Sequence, residues 1–308
     1  MGDDTMHIYN QIPELKATAI ALGCFDGIHL GHKTVIDRLN IQQADKLVRV
    51  VFSFSDVPSF KRGAEQIASF EDKCEILSDM GVNELILPSF DSVKDYSPDD
   101  FFRQILVDKL DARLLICGEN YRFGKYAAGD SGRLKELCFG QGIECIILPS
   151  VMYNGEIISS SRIRAALSEG DAQAAAKMLG RLFSYRLKVV NGRQLGRQLG
   201  TPTINQYFPE NFLIPAYGVY ASVTEVDGRR YPSVTNIGIK PTVGSDLPLS
   251  ETWIIGYDGD LYDRFIRVSL VSYMRKECKF SSIEDLKEAI HNDGVNSVSL
   301  TADYLSKR

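Results

Sequence analysis

Gly23-Cys24-Phe25-Asp26-Gly27-Ile28-His29-Leu30-Gly31-His32 joins a short apolar run, Thr18–Leu22, to a helical stretch at 32–39. A strand, a glycine-rich turn and a helix in that order form the opening of an α/β unit. The pattern repeats outward from there. Residues 48–54 (VRVVFSF) are β-branched and aromatic, the texture of a buried strand, and 84–87, 114–117 and 145–148 are further short strands. Between them, Ser69-Phe70-Glu71-Asp72 and Ser97-Pro98-Asp99-Asp100 carry helix-opening signals: a Ser cap, Pro in the first turn, and acids near the positive end of the dipole. The first helix stops at Gly81. Residues 163–167 and 172–179 close the region as helices, the last ending at Gly180. Strand–helix alternation at this spacing predicts a Rossmann-like parallel sheet covered on both faces.

After about residue 183 the texture changes. Segments at 187–190, 218–226, 232–236, 251–257 and 265–273 are rich in Val, Ile, Tyr and Thr and are separated by Gly, Pro and Asp. Asp227-Gly228 is a hairpin-type turn. These features predict a small antiparallel β-barrel. One helix follows, opened by Ser281-Ser282-Ile283-Glu284 with Leu286 and Ile290 on its apolar face. A boundary near 181–186 then divides the chain into domains 1–183 and 184–308, as its 308 residues favour, since one core stops growing at about 250–300 residues.

Composition narrows the function. The net charge is −5, without the clustered Lys and Arg that phosphate-backbone binding needs, so nucleic acid is not an expected partner. No apolar run approaches the roughly 20 residues that cross a bilayer, and the acidic, polar MGDDTMHIYN is no signal peptide; a cytoplasmic location is expected. The six cysteines form no CxxC pair. Cys117 and Cys145 lie in apolar runs and are expected to be buried strand residues.

Two of only four histidines, His29 and His32, lie in the first turn. N–H groups at a helix N-terminus favour anions, glycines at 23, 27 and 31 let backbone approach a ligand, and imidazoles donate hydrogen bonds to charge developing on a phosphate. Gly23, Phe25, Asp26 and Gly31 are therefore candidate nucleotide-binding residues. Alone, the turn also fits a helix cap with incidental histidines. A second helix start, Ile158-Ser159-Ser160-Ser161-Arg162-Ile163-Arg164, adds hydroxyls and arginines for a second anion clamp. There is no GxxxxGK[ST] loop and no GxGxxG in a Rossmann context. In the second half, Gly192-Arg-Gln-Leu-Gly196-Arg197-Gln-Leu-Gly200-Thr-Pro-Thr203-Ile-Asn205 is a loop able to wrap a phosphate chain, with Thr203 and Asn205 as oxygen ligands for Mg2+. On its own this segment also fits a mobile hairpin loop.

HxGH followed by SSxxIR resembles the nucleotidyltransferase superfamily, and Gly118-Glu119-Asn120-Tyr121-Arg122-Phe123-Gly124 resembles the GxDFxFG segment of bacterial FAD synthetases. The order GRxLGxPTxN, Asn236-Ile237-Gly238 with Pro241-Thr242, Glu251, Asp258-Gly-Asp-Leu-Tyr262 and Arg275-Lys-Glu277-Cys-Lys-Phe280 resembles riboflavin kinase over nearly the whole second domain. Together the halves resemble the bacterial bifunctional riboflavin kinase/FAD synthetase, over roughly residues 15–300.

The resemblance implies riboflavin, FMN and ATP as substrates, FMN and FAD as products, and Mg2+ bridging phosphates. It implies that His29 and His32 hold the ATP phosphates and that Arg164, Ser159 and Ser160 hold the departing pyrophosphate. Gly118, Asn120 and Arg122 would line the nucleotide site. Gly196, Arg197 and Gly200 would wrap the second ATP, Glu251 would be the kinase base, and Arg275 would sit by the flavin. Departures from the family pattern are Asn120 and Tyr121 for Asp and Phe, Asn191, Thr201, Ile204, Trp253 for His, Asp263 for Gly, and Ser55 to Pro58, which keeps one proline of two. The alternatives are a chain with one activity silent, a non-catalytic flavin-binding regulatory protein, or transfer to another phosphorylated acceptor. Trp253, the one Trp, is expected near the flavin.

Overall fold

The computed structural model describes residues 6–41, 47–55, 65–192, 200–239 and 247–306. The chain forms two compact units: Met1–Gln66 with Phe70–Ser159, and Ile67–Ser69 with Ser160–Arg308.

In the first unit six strands run parallel: β1 (His7–Tyr9), β2 (Thr18–Leu22), β3 (Val48–Phe52), β4 (Glu84–Ile86), β5 (Ala112–Gly118) and β8 (Glu144–Leu148). Their order is β1-β4-β3-β2-β5-β8. Two short hairpins decorate the unit, β6 (Arg122–Phe123) with β7 (Gly129–Asp130), and β9 (Met152–Tyr153) with β10 (Glu156–Ile157). Every residue of β2 is buried, as a central strand covered on both faces requires. Alternate side chains enter opposite cores: Ile20, Leu22, Leu115 and Cys117 go to one, Ala19, Ala21, Leu114 and Ile116 to the other.

Helices α1 (Leu30–Ile41) and α2 (Phe70–Asp79) cover the second of these faces through Val35, Ile36, Leu39 and Leu77. The first face is covered by α3 (Pro98–Asp100), which runs on as a π-helical stretch, Phe101–Lys109, and by α4 (Ser131–Gln141). The expected Ser97 cap forms, its hydroxyl accepting from Asp100 N at 3.1 Å. β1 and the β6–β7 hairpin were not foreseen, because segments of two or three residues carry no periodicity; Phe101–Lys109 falls in the helix expected from Ser97 and differs only in its π winding.

The second unit begins with α5 (Ser160–Ser168) and α6 (Ala172–Leu179). Its sheet is antiparallel, with β11 (Phe183–Lys188), β12 (Thr203–Tyr207), β13 (Gly218–Val226), β14 (Arg229–Ile239), β15 (Pro248–Ile254) and β16 (Phe265–Arg275) in the order β11-β16-β13-β14-β15-β12. The sheet curls until its edges meet. Val190 N donates to Asn205 O at 2.8 Å, and the buried Gln206 amide donates to Leu187 O at 2.6 Å and Ile266 O at 2.8 Å. The expected Asp227-Gly228 turn joins β13 to β14 with φ of 49° and 73°, the left-handed pair that a two-residue hairpin loop demands.

One buried face of the curled sheet is threaded by hydroxyls. Tyr185 bonds Ser250 (2.6 Å), Thr252 bonds Thr235 (2.9 Å), and Thr235 bonds Ser222 (2.7 Å). All of these are fully buried and mutually satisfied, as an interior polar network must be. Helix α7 (Ile283–Leu305), capped by Ser282 accepting from Asp285 N at 3.0 Å, packs on β13 and β14.

The compact units part at Ser159/Ser160, upstream of the 181–186 division read from the sequence. Helix α6 packs on β11 and β16, and Ala216 N donates to Leu167 O of α5 at 2.9 Å. The helical signal of α5 and α6 continues the alternation before it, so only the packing assigns them to the second unit.

Candidate active sites

The first site sits where strand order reverses. From β2 the chain winds outward through β3 and β4 on one side and β5 and β8 on the other, and ligands of open α/β sheets bind beyond the carboxyl ends of strands at such a point. The segments leaving β2 and β5, starting at Gly23 and Gly118, lie there side by side. The β2 loop is conformationally demanding, with φ of 44° at Phe25, 71° at Gly27 and 39° at Ile28. Phe25 holds it as an anchor: only 1% exposed, it stacks edge-on to His32 with centroids 5.2 Å apart. A Cβ on Gly23 would meet the Phe25 ring at 3.0–3.2 Å, and one on Gly31 would meet the His29 ring at 3.2 Å, so both glycines clear space for aromatic rings. His29 and His32 stack with centroids 3.6 Å apart, and His32 N donates to His29 Nδ1 at 3.2 Å. With Nδ1 accepting that bond, the proton of an uncharged His29 ring would lie on Nε2. Asp26 is half-buried in the same loop.

On the β5 side, a Cβ on Gly118 would lie 3.1 Å from Asn120 Oδ1, and Asn120 itself is exposed. Arg122 is exposed and pairs with Asp130 at 3.1 Å. Tyr121 and Phe123 stack at 5.7 Å and belong to the core, and Gly124, at φ 74°, passes against Pro98, where a Cβ would come within 2.7 Å. Sequence reasoning missed a residue here. Lys73 of α2 reaches the loop from below, donating to Ser53 Oγ at 2.7 Å, Cys24 O at 3.2 Å and Phe54 O at 3.4 Å. Burial lowers its pKa to about 8 against the opposing pull of Asp26. No motif marks it; a single lysine in a helix reads as a surface residue.

Ser159 ends the first compact unit. Ser160, 8% exposed, and the half-buried Arg164 lie on α5 of the second unit.

The second site is a row across the curled sheet. Asn205 of β12 pairs with Glu251 of β15, and Glu251 pairs with Asn236 of β14. Two residues along, Thr203 pairs with Trp253, so Thr203, Asn205, Glu251, Trp253 and Asn236 share one face. A Cβ on Gly192 would overlap the Asn205 amide, which explains that glycine. Trp253 lies flush on Gly294 of α7, where a Cβ would come within 2.7 Å of the indole. Beside Thr203 opens a cleft of about 270 Å³ lined by Val189, Pro202, Ile204, Tyr257 and the Asp258 to Tyr262 turn.

At the other end of the row, Asn236 donates to Glu277 at 2.8 Å, and Gly238 has no room for a Cβ against that carboxylate. Arg275 pairs with the buried Asp293 of α7 at 2.7 Å, which raises the Arg275 pKa. Asp293 is a second residue that sequence reasoning did not single out. Gly200, at φ 78°, enters β12 from the glycine-rich loop; Gly196 and Arg197 lie outside the described residues.

The comparisons with known proteins match both halves. A FAD synthetase family model matches residues 11–162 and a riboflavin kinase model residues 179–300. A relative from Pseudomonas fluorescens, a bifunctional riboflavin kinase/FMN adenylyltransferase, is 32% identical over 96% of both chains. This chain belongs to the bifunctional riboflavin kinase/FMN adenylyltransferase family. A Bacillus subtilis member is 31% identical over 93% of this chain and 94% of its own. A crystal structure titled as a macrolide-efflux protein from Streptococcus pneumoniae superposes with TM-score 0.85 at 27% identity, covering 95% of this chain and 98% of that one. Among the described residues of this family member, no helix is long and apolar enough to cross a membrane.

Proposed function

We propose that the chain phosphorylates riboflavin to FMN with ATP, then transfers AMP from a second ATP to FMN, releasing pyrophosphate and forming FAD. The observation that carries this reading is the shared row of Asn205, Glu251 and Asn236, with Thr203 beside it and a cleft opening next to Thr203. Glu251 accepts the proton of the riboflavin 5′-hydroxyl as that oxygen attacks the γ-phosphorus. Arg275, anchored by Asp293, orients the flavin.

In the other reaction an FMN phosphate oxygen attacks the α-phosphorus. No protein nucleophile is needed, so positioning and charge neutralisation supply the catalysis. His29 and His32 hold ATP phosphates at the β2 turn, with Gly23, Phe25, Asp26 and Gly31 shaping it and Gly118, Asn120 and Arg122 beside it. Ser159, Ser160 and Arg164 hold the pyrophosphate. In the kinase, Gly196, Arg197 and Gly200 wrap the triphosphate.

Thr203 and Asn205 fit a Mg2+ role: two neutral, hard oxygen donors side by side suit an ion that keeps several waters and binds chiefly through phosphates. When bound, Mg2+ neutralises phosphate charge. We assign the two activities to residues 1–183 and 184–308; the spans matched by the two family models support this. We propose a cytoplasmic location; six cysteines with no disulfide among the described residues support this reading.

Incubating the protein with riboflavin and ATP-Mg and separating the products tests the reading. FMN followed by FAD is expected. FMN alone, or FAD only when FMN is supplied, assigns a single activity; no conversion of either flavin overturns the proposal.

A further inference from the structure

The loop proposed to grip the nucleotide holds three residues of positive φ, Phe25, Gly27 and Ile28, two of them not glycine, so the surrounding structure must enforce its shape. Two contacts fix the peptide at its start from inside the fold. Ser53 Oγ donates to Cys24 O at 2.7 Å, and Lys73 Nζ donates to the same oxygen, to Ser53 Oγ and to Phe54 O. An ammonium has three donors, and here each has its own oxygen. Carbonyl and following N–H point in opposite directions across a trans peptide, so drawing Cys24 O toward Lys73 turns the Phe25 N–H away from it.

We propose that Lys73 and Ser53 are positioning residues for FMN adenylylation, a strut that aims the backbone of the Gly23 to His32 loop at the ATP phosphates. Lysine in this position is costly, since a buried ammonium forfeits hydration, and burial does hold its pKa well below the ordinary value. Asp26 faces it from the loop and Cys24 and Cys74 flank it. Neither Lys73 nor Ser53 lies in the phosphate-facing turn itself, so both act through Cys24.

The inference rests on the adenylyltransferase reading, and the kinase activity of the same polypeptide serves as its internal control. Lys73→Met, Lys73→Arg and Ser53→Ala are assayed for both reactions. Lys73→Met is expected to lower kcat for FAD formation 10-fold or more, with KM for FMN changed less than threefold and riboflavin phosphorylation unchanged. Lys73→Arg, which keeps charge and donors, recovers part of that kcat. A Lys73→Met enzyme with wild-type FAD synthesis overturns the proposal, and so does a change confined to KM. Should Lys73→Met lose both activities through misfolding, Ser53→Ala decides: a selective fall in FAD kcat supports the strut, and unchanged FAD synthesis overturns it. A wild-type chain that makes FMN but no FAD overturns the adenylyltransferase reading itself, and the strut with it.

Discussion

Glu251 stands directly across the β15–β12 ladder from Asn205, with Asn236 as its partner on the other side. The proposed base for the riboflavin hydroxyl and the proposed oxygen donor beside the triphosphate are thus neighbours in one row. Glu251→Gln keeps shape and removes basicity. FMN formation should fall about 10²–10⁴-fold, the usual contribution of a general base. FAD formation from supplied FMN should not change; initial rates of both reactions check this.

Gly192 and Asn205 touch so closely that no side chain fits between them. Gly192→Ala is therefore expected to displace the Asn205 amide and raise KM for ATP-Mg in the kinase reaction about tenfold, as Asn205→Ala should. FMN adenylylation is the control. Equal KM values for the variants and the parent would remove Asn205 from the nucleotide site.

The stacked His29 and His32 rings bear on the other reaction. Replacing either with Ala is expected to cost about 10²–10³ in FAD formation, the scale of losing one preorganised donor to a developing oxyanion. Riboflavin phosphorylation should proceed at the parent rate.

Lys73 gives a pH signature in stability. Its pKa is about 8 in the fold and the ordinary 10.5 when unfolded. Between those values the unfolded chain holds more protons, so stability rises with pH through this window. The penalty is full below pH 8 and relieved above 10.5. The Cys74 thiol, raised by burial, titrates nearby, so the comparison needed is parent against Lys73→Met. The urea midpoint of the parent should gain on that of the variant from pH 8 to 10; a constant difference would show that the ammonium is not buried.

Trp253 shares its face with Glu251, two residues along β15, and rests on Gly294. Riboflavin should quench its fluorescence saturably. Gly294→Ala improves helix propensity by about 0.5–1 kcal/mol yet must shift the indole. The quenching curve of Gly294→Ala should therefore move to higher riboflavin concentration.

The β2 turn and the two textures of the chain were legible because local chemistry carries them. Periodicity, the Ser97 cap and the Asp227-Gly228 turn are all written in a few adjacent residues, whereas the Ser281–Glu284 box lies one residue before the Ser282 cap that forms. Glycines at 23, 27 and 31 and histidines at 29 and 32 could be named for the same reason. Arg275 was found through its motif, but its partner Asp293, 18 residues away on α7, was not.

By itself the amino-acid sequence determined the α/β-then-β organisation and the residue types of both glycine-rich segments proposed to bind phosphate, since those depend on short-range backbone preference and on donors within one segment. Tertiary structure alone decided three things: that α5 and α6 pack with the second unit, that β12 and β15 bring Asn205 opposite Glu251, and that Lys73 lies under Cys24. Each rests on contacts between segments far apart in the chain, where strand register and packing geometry choose the partner and no local pattern records the choice.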